Sequence, residues 1–203
     1  MITTNLLRPK LGIFLLAMLG SVIVSVEGQQ QAESQSKNSL RQFEPSRIGH
    51  PSFVSPHASP IVINGNLVFV TNTPADTVDV IDSQTREVIA RIDVGVDPVS
   101  IARRPDGKEV WVSNHISDSI SVIDTKESSP TFLNVIATVQ EFDSARKATS
   151  FDEPMGIAFA SNEKAYVALS SANQIAVIDV GSREVTKRIS ITAQDPREIV
   201  VRD

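Results

Sequence analysis

The chain has no cysteine in 203 residues. That removes disulfides, zinc–thiolate sites, iron–sulfur clusters, thiol nucleophiles and covalent C-x-x-C-H haem attachment from its chemistry. Glycine is scarce, nine residues in scattered positions, so no glycine-rich loop is available to cradle phosphate. There is no G-x-S-x-G elbow, Walker loop or H-E-x-x-H pair. A basic excess is also missing. The formal net charge is −5, which argues against nucleic acid as a partner. No apolar run reaches the ~20 residues of a spanning helix. What is present is ordinary globular material, with 41% hydrophobic and 21% charged residues. That composition excludes collagen and disorder throughout.

The first 28 residues read as an export signal. Arg8 and Lys10 precede an apolar run from Leu11 to Val26, interrupted by Gly12 and Gly20. A basic start, a short apolar centre and small residues at the end fit a cleaved leader, with cleavage after Gly28. The alternative is an uncleaved N-terminal anchor. A lipoprotein is excluded because no Cys follows the run. Residues 29–47, QQQAESQSKNSLRQFEPSR, hold too few apolar side chains to offset the entropy of ordering and read as a flexible linker. The protein is therefore expected outside the cytoplasm, secreted, periplasmic or at the cell surface, with no membrane span once the leader is removed.

The rest of the chain repeats itself. VFVTN (Val68–Asn72) and DTVDVID (Asp76–Asp82) recur 42 residues later as VWVSN (Val110–Asn114) and DSISVID (Asp118–Asp124). A third copy, AYVAL (Ala165–Leu169) and NQIAVID (Asn173–Asp179), follows 55 residues on. The surplus falls in 141–153, EFDSARKATSFDE. Each unit starts at a proline: Pro60, Pro98, Pro154 and Pro196, each preceded by Ser, Asp or Glu. Proline is tolerated at a strand entrance because its missing N–H lies outside the ladder. Each unit carries four short segments with β character, separated by turn sequences such as Asn64-Gly65 and Pro105-Asp106-Gly107. Four strands per ~40 residues is the arithmetic of a propeller blade. The expected units are 60–97, 98–153 and 154–195, with 196–203 as the first strand of a fourth.

These motifs resemble the YVTN-type β-propeller repeat of bacterial and archaeal surface and periplasmic proteins, over roughly residues 59–203. The third copy departs from the pattern, with Ala168-Leu169 in place of Thr/Ser-Asn and Asn162-Glu163 in place of Asp-Gly. The resemblance implies an all-β fold and leaves function open, since propellers host many activities. NTPADTVDVID and WVSNHISDSISVID also resemble the N-terminal blades of large secreted proteins that join such a propeller to c-type cytochrome or peroxidase-like segments. No haem segment is present in this sequence. The expected architecture is an incomplete ring of about three blades, the N-terminal part of a longer protein or a chain completed by further blades in cis or trans.

Candidate chemistry is thin. Asp82, Asp124 and Asp179 close the third segment of each unit. They are expected to cap the turns that follow, with a cation-binding rim as the other reading. Asn72 and Asn114 close the second segment and are expected to bond loop backbone. The three histidines, His50, His57 and His115, lack a tight metal-ligand spacing and read as solvated loop residues. His115 is the one placed for function, because loops on a rigid scaffold carry it. Trp111 reads as core. The candidate rim-loop residues are Asn72, Asp76, Asn114, His115 and Asp118, with no catalytic, cofactor or metal assignment. The expected function is an exported binding or scaffold module, non-catalytic by itself, for a protein or small-molecule ligand. An oxidoreductase whose haem segment lies elsewhere is the alternative, and a lactonase-like hydrolase is a more distant one.

Overall fold

A computed structural model describes residues 57–202. The export signal, the cleavage site after Gly28, the 29–47 linker and His50 lie outside the described residues. Three four-stranded antiparallel sheets follow one another, each with its strands in chain order. Blade 1 is β1 (Ile61–Asn64), β2 (Leu67–Asn72), β3 (Thr77–Asp82) and β4 (Val88–Asp93). Blade 2 is β5 (Pro98–Arg103), β6 (Glu109–Asn114), β7 (Ser119–Asp124) and β8 (Val135–Val139). A two-stranded ribbon, β9 (Phe142–Asp143) with β10 (Ala148–Thr149), occupies the surplus before blade 3. Blade 3 is β11 (Pro154–Phe159), β12 (Lys164–Leu169), β13 (Gln174–Asp179) and β14 (Glu184–Ser190). The strands match the expected segments to within a residue at each end. The small ribbon was unforeseen, and the strand expected from residue 196 onward is not formed among the described residues.

The prolines sit where a missing donor does no harm. Pro98 and Pro154 open β5 and β11, and Pro60 immediately precedes β1. Gly65 and Gly107 turn the first hairpins of blades 1 and 2 at φ 61° and 71°, a region glycine enters without Cβ strain. The third and fourth strands slip register at the same place in every blade, at Val80/Ile81, Val122/Ile123 and Val177/Ile178. A recurring bulge of this kind increases strand twist.

Burial follows from alternation. Side chains of a strand point to opposite faces, and each central blade face meets another blade. Phe69, Val78, Val80 and Ile92 of blade 1 pack on Ile101, Val110, Val112 and Ile123 of blade 2. The opposite face of blade 2 presents Trp111, Ile120, Val122 and Val139 to Ile157, Ala165, Val167 and Ile178 of blade 3. All six residues of β6 and of β7 are buried. Phe151, just after the ribbon, also enters the second core. Trp111 is fully buried, stands edge-on to Phe159 at 5.2 Å, and donates its indole N–H to Glu109 Oε2 at 2.8 Å. Oε1 of the same carboxylate faces Arg104 and Arg183, each at 3.4 Å. One buried acid therefore joins blade 2 to blade 3 and satisfies the indole that the core requires.

The equivalent outer faces meet no further four-stranded sheet among the described residues. Blade 1 turns Ile61 and Ile63, 58% and 63% exposed, away from blade 2, together with Val68, Val70 and Ile81. Blade 3 directs Tyr166, Ile175, Val177 and Ile189 to its other face, the register counterparts of Trp111, Ile120, Val122 and Val139; Ile189 is exposed there, whereas Val177 is buried and Ile175 packs on the small cluster of Val99, Met155 and Ala168. Residues 196–202 form no regular ladder, but Arg197 O accepts the Gly156 N–H of β11 at 2.8 Å. Among the described residues the three blades form an open, incomplete ring, as expected.

Gly156 is the seat of that last segment. A Cβ there would lie 2.7 Å from Arg197 O and 2.9 Å from Ile199 N. Gly156→Ala is expected to dislodge residues 196–202 and cost about 1–3 kcal/mol of stability. Limited proteolysis at Arg197 and Arg202, with thermal melts, checks this; unchanged cleavage would show that the segment does not depend on the contact.

Candidate functional site

In an up-and-down sheet, alternate connections lie at opposite ends. The loops between second and third strands therefore share one end with the connectors between blades. At this end Asp76, Asp118 and Asn173 hold equivalent places, all in left-handed backbone at φ 55°, 50° and 52°. Short polar side chains tolerate that region. Each bonds the backbone N–H of the residue before the next proline. Asp76 Oδ1 accepts from Asp97, Asp118 Oδ1 from Glu153 and Asn173 Oδ1 from Asp195, at 2.9, 2.9 and 2.8 Å. The three recipients are left-handed too. This clasp recurs once per blade and ties each loop to the start of the next blade. Two of the five candidate residues, Asp76 and Asp118, are thus part of the scaffold.

Asn72 and Asn114 differ from expectation. Their amides reach hydroxyls of the third strand rather than loop backbone. Asn72 Nδ2 donates to Thr77 Oγ1 at 3.4 Å, and Asn114 Nδ2 to Ser119 and Ser121 at 3.2 and 3.0 Å. The reason is register: Asn72 faces Thr77 and Asn114 faces Ser119 directly across the ladder. Gly95 is pressed onto Asn114, where a Cβ would fall 2.6 Å from Cγ.

His115 is half-buried, not solvated as expected. Its backbone N–H bonds Asp97 O at 2.9 Å, and its Nδ1 is buried without a partner. Thr73 and Ser170 occupy the same loop position in the other blades, and both have partners. Thr73 donates to Pro98 O at 2.7 Å and contacts His57 Nε2 at 2.6 Å, whereas Ser170 contacts Glu153 Oε2 at 3.1 Å. His57 is thereby tied down at the blade 1 rim. A cleft of about 230 Å³ is lined by His115, Glu153, Ser170, Ser171, Asp195 and Arg197. Five of these residues, all but His115, were not among the sequence candidates. The available signal was the acidic residue before Pro98, Pro154 and Pro196.

Burial raises the Asp118 carboxyl above its ordinary range. Nearby Asp152 and Glu153 add to this, against the opposing Glu153 N–H bond and His115. At the opposite end the turn acids behave as expected. Asp82 Oδ1 accepts the N–H groups of Gln84 and Thr85, Asp124 Oδ1 that of Lys126, and Asp179 Oδ1 that of Ser182. The N–H groups of Thr85 and Gln84 lower the Asp82 carboxyl, and that of Ser182 lowers Asp179. A larger depression at this end, about 560 Å³, includes Asn64, Arg103, Gly107 and Thr125 in its lining. Its polar groups are engaged within and between blades, because Asn64 of blade 1 and Thr125 of blade 2 both donate to Gly107 O at 2.8 Å. The smaller cleft is the better candidate. Among the described residues no group of three His, Asp or Glu side chains is arranged to hold a metal ion, and no helix is long and apolar enough to cross a membrane.

No protein-family model matches the chain. NirF of Stutzerimonas stutzeri is 33% identical over 78 residues, which is 37% of this chain and 20% of NirF. Hydrazine synthase of Kuenenia stuttgartiensis superposes with a TM-score of 0.56 at 29% identity, covering 75% of this chain and 41% of that one. The β-propeller domain of Swd1 from Myceliophteria thermophila superposes with a TM-score of 0.56 at 15% identity, covering 69% and 45%. The fold is a β-propeller. The chain spans about a fifth of the curated relative and less than half of each solved chain.

The two kinds of carboxylate give opposite pH signatures. Asp179 is lowered from 3.8 in the fold, so its contribution is present above that value and is lost as pH falls through the lower folded one. Asp118 is raised, so the folded state holds its proton more tightly and stability declines as pH rises above 3.8. Asp179→Ala is expected to lower the melting midpoint at pH 7. Asp118→Asn keeps the acceptor, as Asn173 does natively, and is expected to hold or raise it. Both differences should shrink towards pH 3 in thermal melts; a midpoint loss for Asp118→Asn at pH 7 would overturn the Asp118 assignment.

Proposed function

We propose that the chain is an exported binding and scaffold module of the YVTN propeller type. The observation that carries this is the division of labour among its polar groups. The recurring ones hold turns and blades together, and the rim cleft is lined in part by side chains that do not repeat, with His115 and Ser170 at one loop position. Two uncovered blade faces repeat the residue pattern of the internal interfaces, which supports further blades as partners, in cis or trans. Export rests on the leader-like residues 1–28, and the rim residues Asn72, Asp76, Asn114, His115 and Asp118 frame the ligand-binding end.

A second reading is favoured by the likeness to hydrazine synthase at 29% identity. In it the chain is the propeller part of a larger exported oxidoreductase with its redox centre on another segment. Intact mass and the reduced-minus-oxidised absorbance spectrum of the native product separate the two readings.

The scaffold role predicts that the chain self-associates, because exposed apolar faces and open edges pair. Residues 196–203 align with 98–105, so a copy of residues 106–139 appended after Asp203 supplies the missing strands of a fourth blade. The graft is expected to reduce self-association in sedimentation and to raise the melting midpoint by several degrees, about 1 kcal/mol or more. A parent chain that is already a monodisperse, cooperatively melting monomer, unaltered by the graft, would refute the role.

A further inference from the structure

The rim cleft combines two features that the scaffold does not use. The first is a pair of unsatisfied buried atoms. Asp97 and His115 face each other at the end of the β5–β6 ladder, one step beyond the Pro98–Asn114 pair. Asp97 is only 3% exposed, and its Oδ2 has no partner; His115 Nδ1 is likewise buried and unpartnered. Buried polar atoms in native folds are almost always bonded, and of these two residues His115 lines the cleft, so its orphan nitrogen marks a place where something else binds.

The second feature is charge. Glu153 and Asp195 line the cleft, and Asp118 stands next to them, accepting the Glu153 N–H at 2.9 Å and coupled electrostatically to Asp152, Glu153 and His115. Arg197 is the cation in the lining and is paired with Asp195. The surplus is negative. The acids are spread around the cleft rather than converging, and among the described residues no three of them form a metal cage. Dispersed carboxylates with a serine and an imidazole suit a cation that is itself extended and carries several donors.

We propose that this cleft binds an organic cation through an alkylammonium or guanidinium group, with Asp118 and Glu153 supplying the countercharge and His115 Nδ1 accepting a hydrogen bond. The proposal rests on the binding-module reading and names the ligand class for its rim. Ser170 and Ser171 sit at the same wall and complete the polar lining. The shared chemistry covers a free amine and a basic side chain of a partner protein.

The test uses the full chain with ¹³C,¹⁵N-labelled histidine, titrated in separate arms with cadaverine, agmatine, a capped Gly-Lys-Gly peptide, glutarate and calcium. The expected result is a saturable shift of the His115 ring signals by an amine or guanidine, and little from glutarate or calcium. Asp118→Asn and Glu153→Gln each keep their backbone or Ser170 hydrogen bond and remove only charge. Each is expected to weaken binding by at least about tenfold, as for loss of a charged hydrogen-bond partner. A free amine binding more tightly than the peptide assigns a small-molecule ligand, and the reverse assigns a protein side chain. Calcium binding abolished by the same variants, or amine binding indifferent to them, would overturn the proposal. A response to glutarate alone would overturn the cation class and leave the binding module standing. Silence at His115 in every arm would remove both the cation class and the cleft as a binding site.

Discussion

Every blade of this protein has two apolar faces, and only other blades can keep water from them. That constraint organises the whole molecule. The 42-residue spacing puts Phe69 and Trp111 on equivalent faces, so each aromatic reaches into the blade that follows. Blade 2, covered on both sides, buries β6 and β7 completely. Blades 1 and 3 are covered on one side each. Burial at ~25 cal/mol per Å² is the dominant stabilising term in such a stack, and it is collected only where two blades meet. The uncovered faces of Ile61 and Ile63 and of Tyr166 and Ile189 follow from the same rule.

Stacking fixes distance, and the polar groups fix angle. The clasp from Asp76, Asp118 and Asn173 sits at one end of the sheets, and the bonds around Gly107 and Glu109 sit at the other. Both sets join neighbouring blades and leave little freedom to splay. The clasp places two left-handed residues in contact at every junction, and it is compatible with either Asp or Asn in the loop. The choice of Asp118 over Asn is therefore a choice about charge, made where Asp152 and Glu153 already crowd the rim. A fold that needs only an acceptor there has been given a carboxylate whose ionised form is disfavoured.

Function in a repeat protein is sought where the repeats disagree. Thr73, His115 and Ser170 hold one position with three different chemistries. Thr73 and Ser170 spend their hydroxyls on neighbouring groups, whereas His115 leaves a buried nitrogen unpartnered. Glu109, against Leu67 and Lys164 in the other blades, is a second disagreement. It is absorbed by Trp111 and two arginines and serves the core. The likeness to NirF and hydrazine synthase over part of their lengths fits this pattern of a common frame with local variation.

The sequence by itself determined the strands, the blade repeat and the turn acids, because each of these is local. Alternation, a proline at a strand start or an Asp two residues ahead of an N–H needs only a few neighbours. Asp82, Asp124 and Asp179 were legible as turn caps for that reason, and Trp111 as core. Only the tertiary structure decided what Asp118 and His115 do, since their partners lie across blade junctions. Asp118 meets Glu153 thirty-five residues away, and the distance in sequence is set by the ribbon that no repeat pattern anticipates. The expectation that Asn72 and Asn114 bond loop backbone failed because ladder register put strand hydroxyls within their reach. The cleft itself belongs to no one segment. It exists because three β–β connections, each ordinary alone, are brought to one rim by the packing of apolar faces.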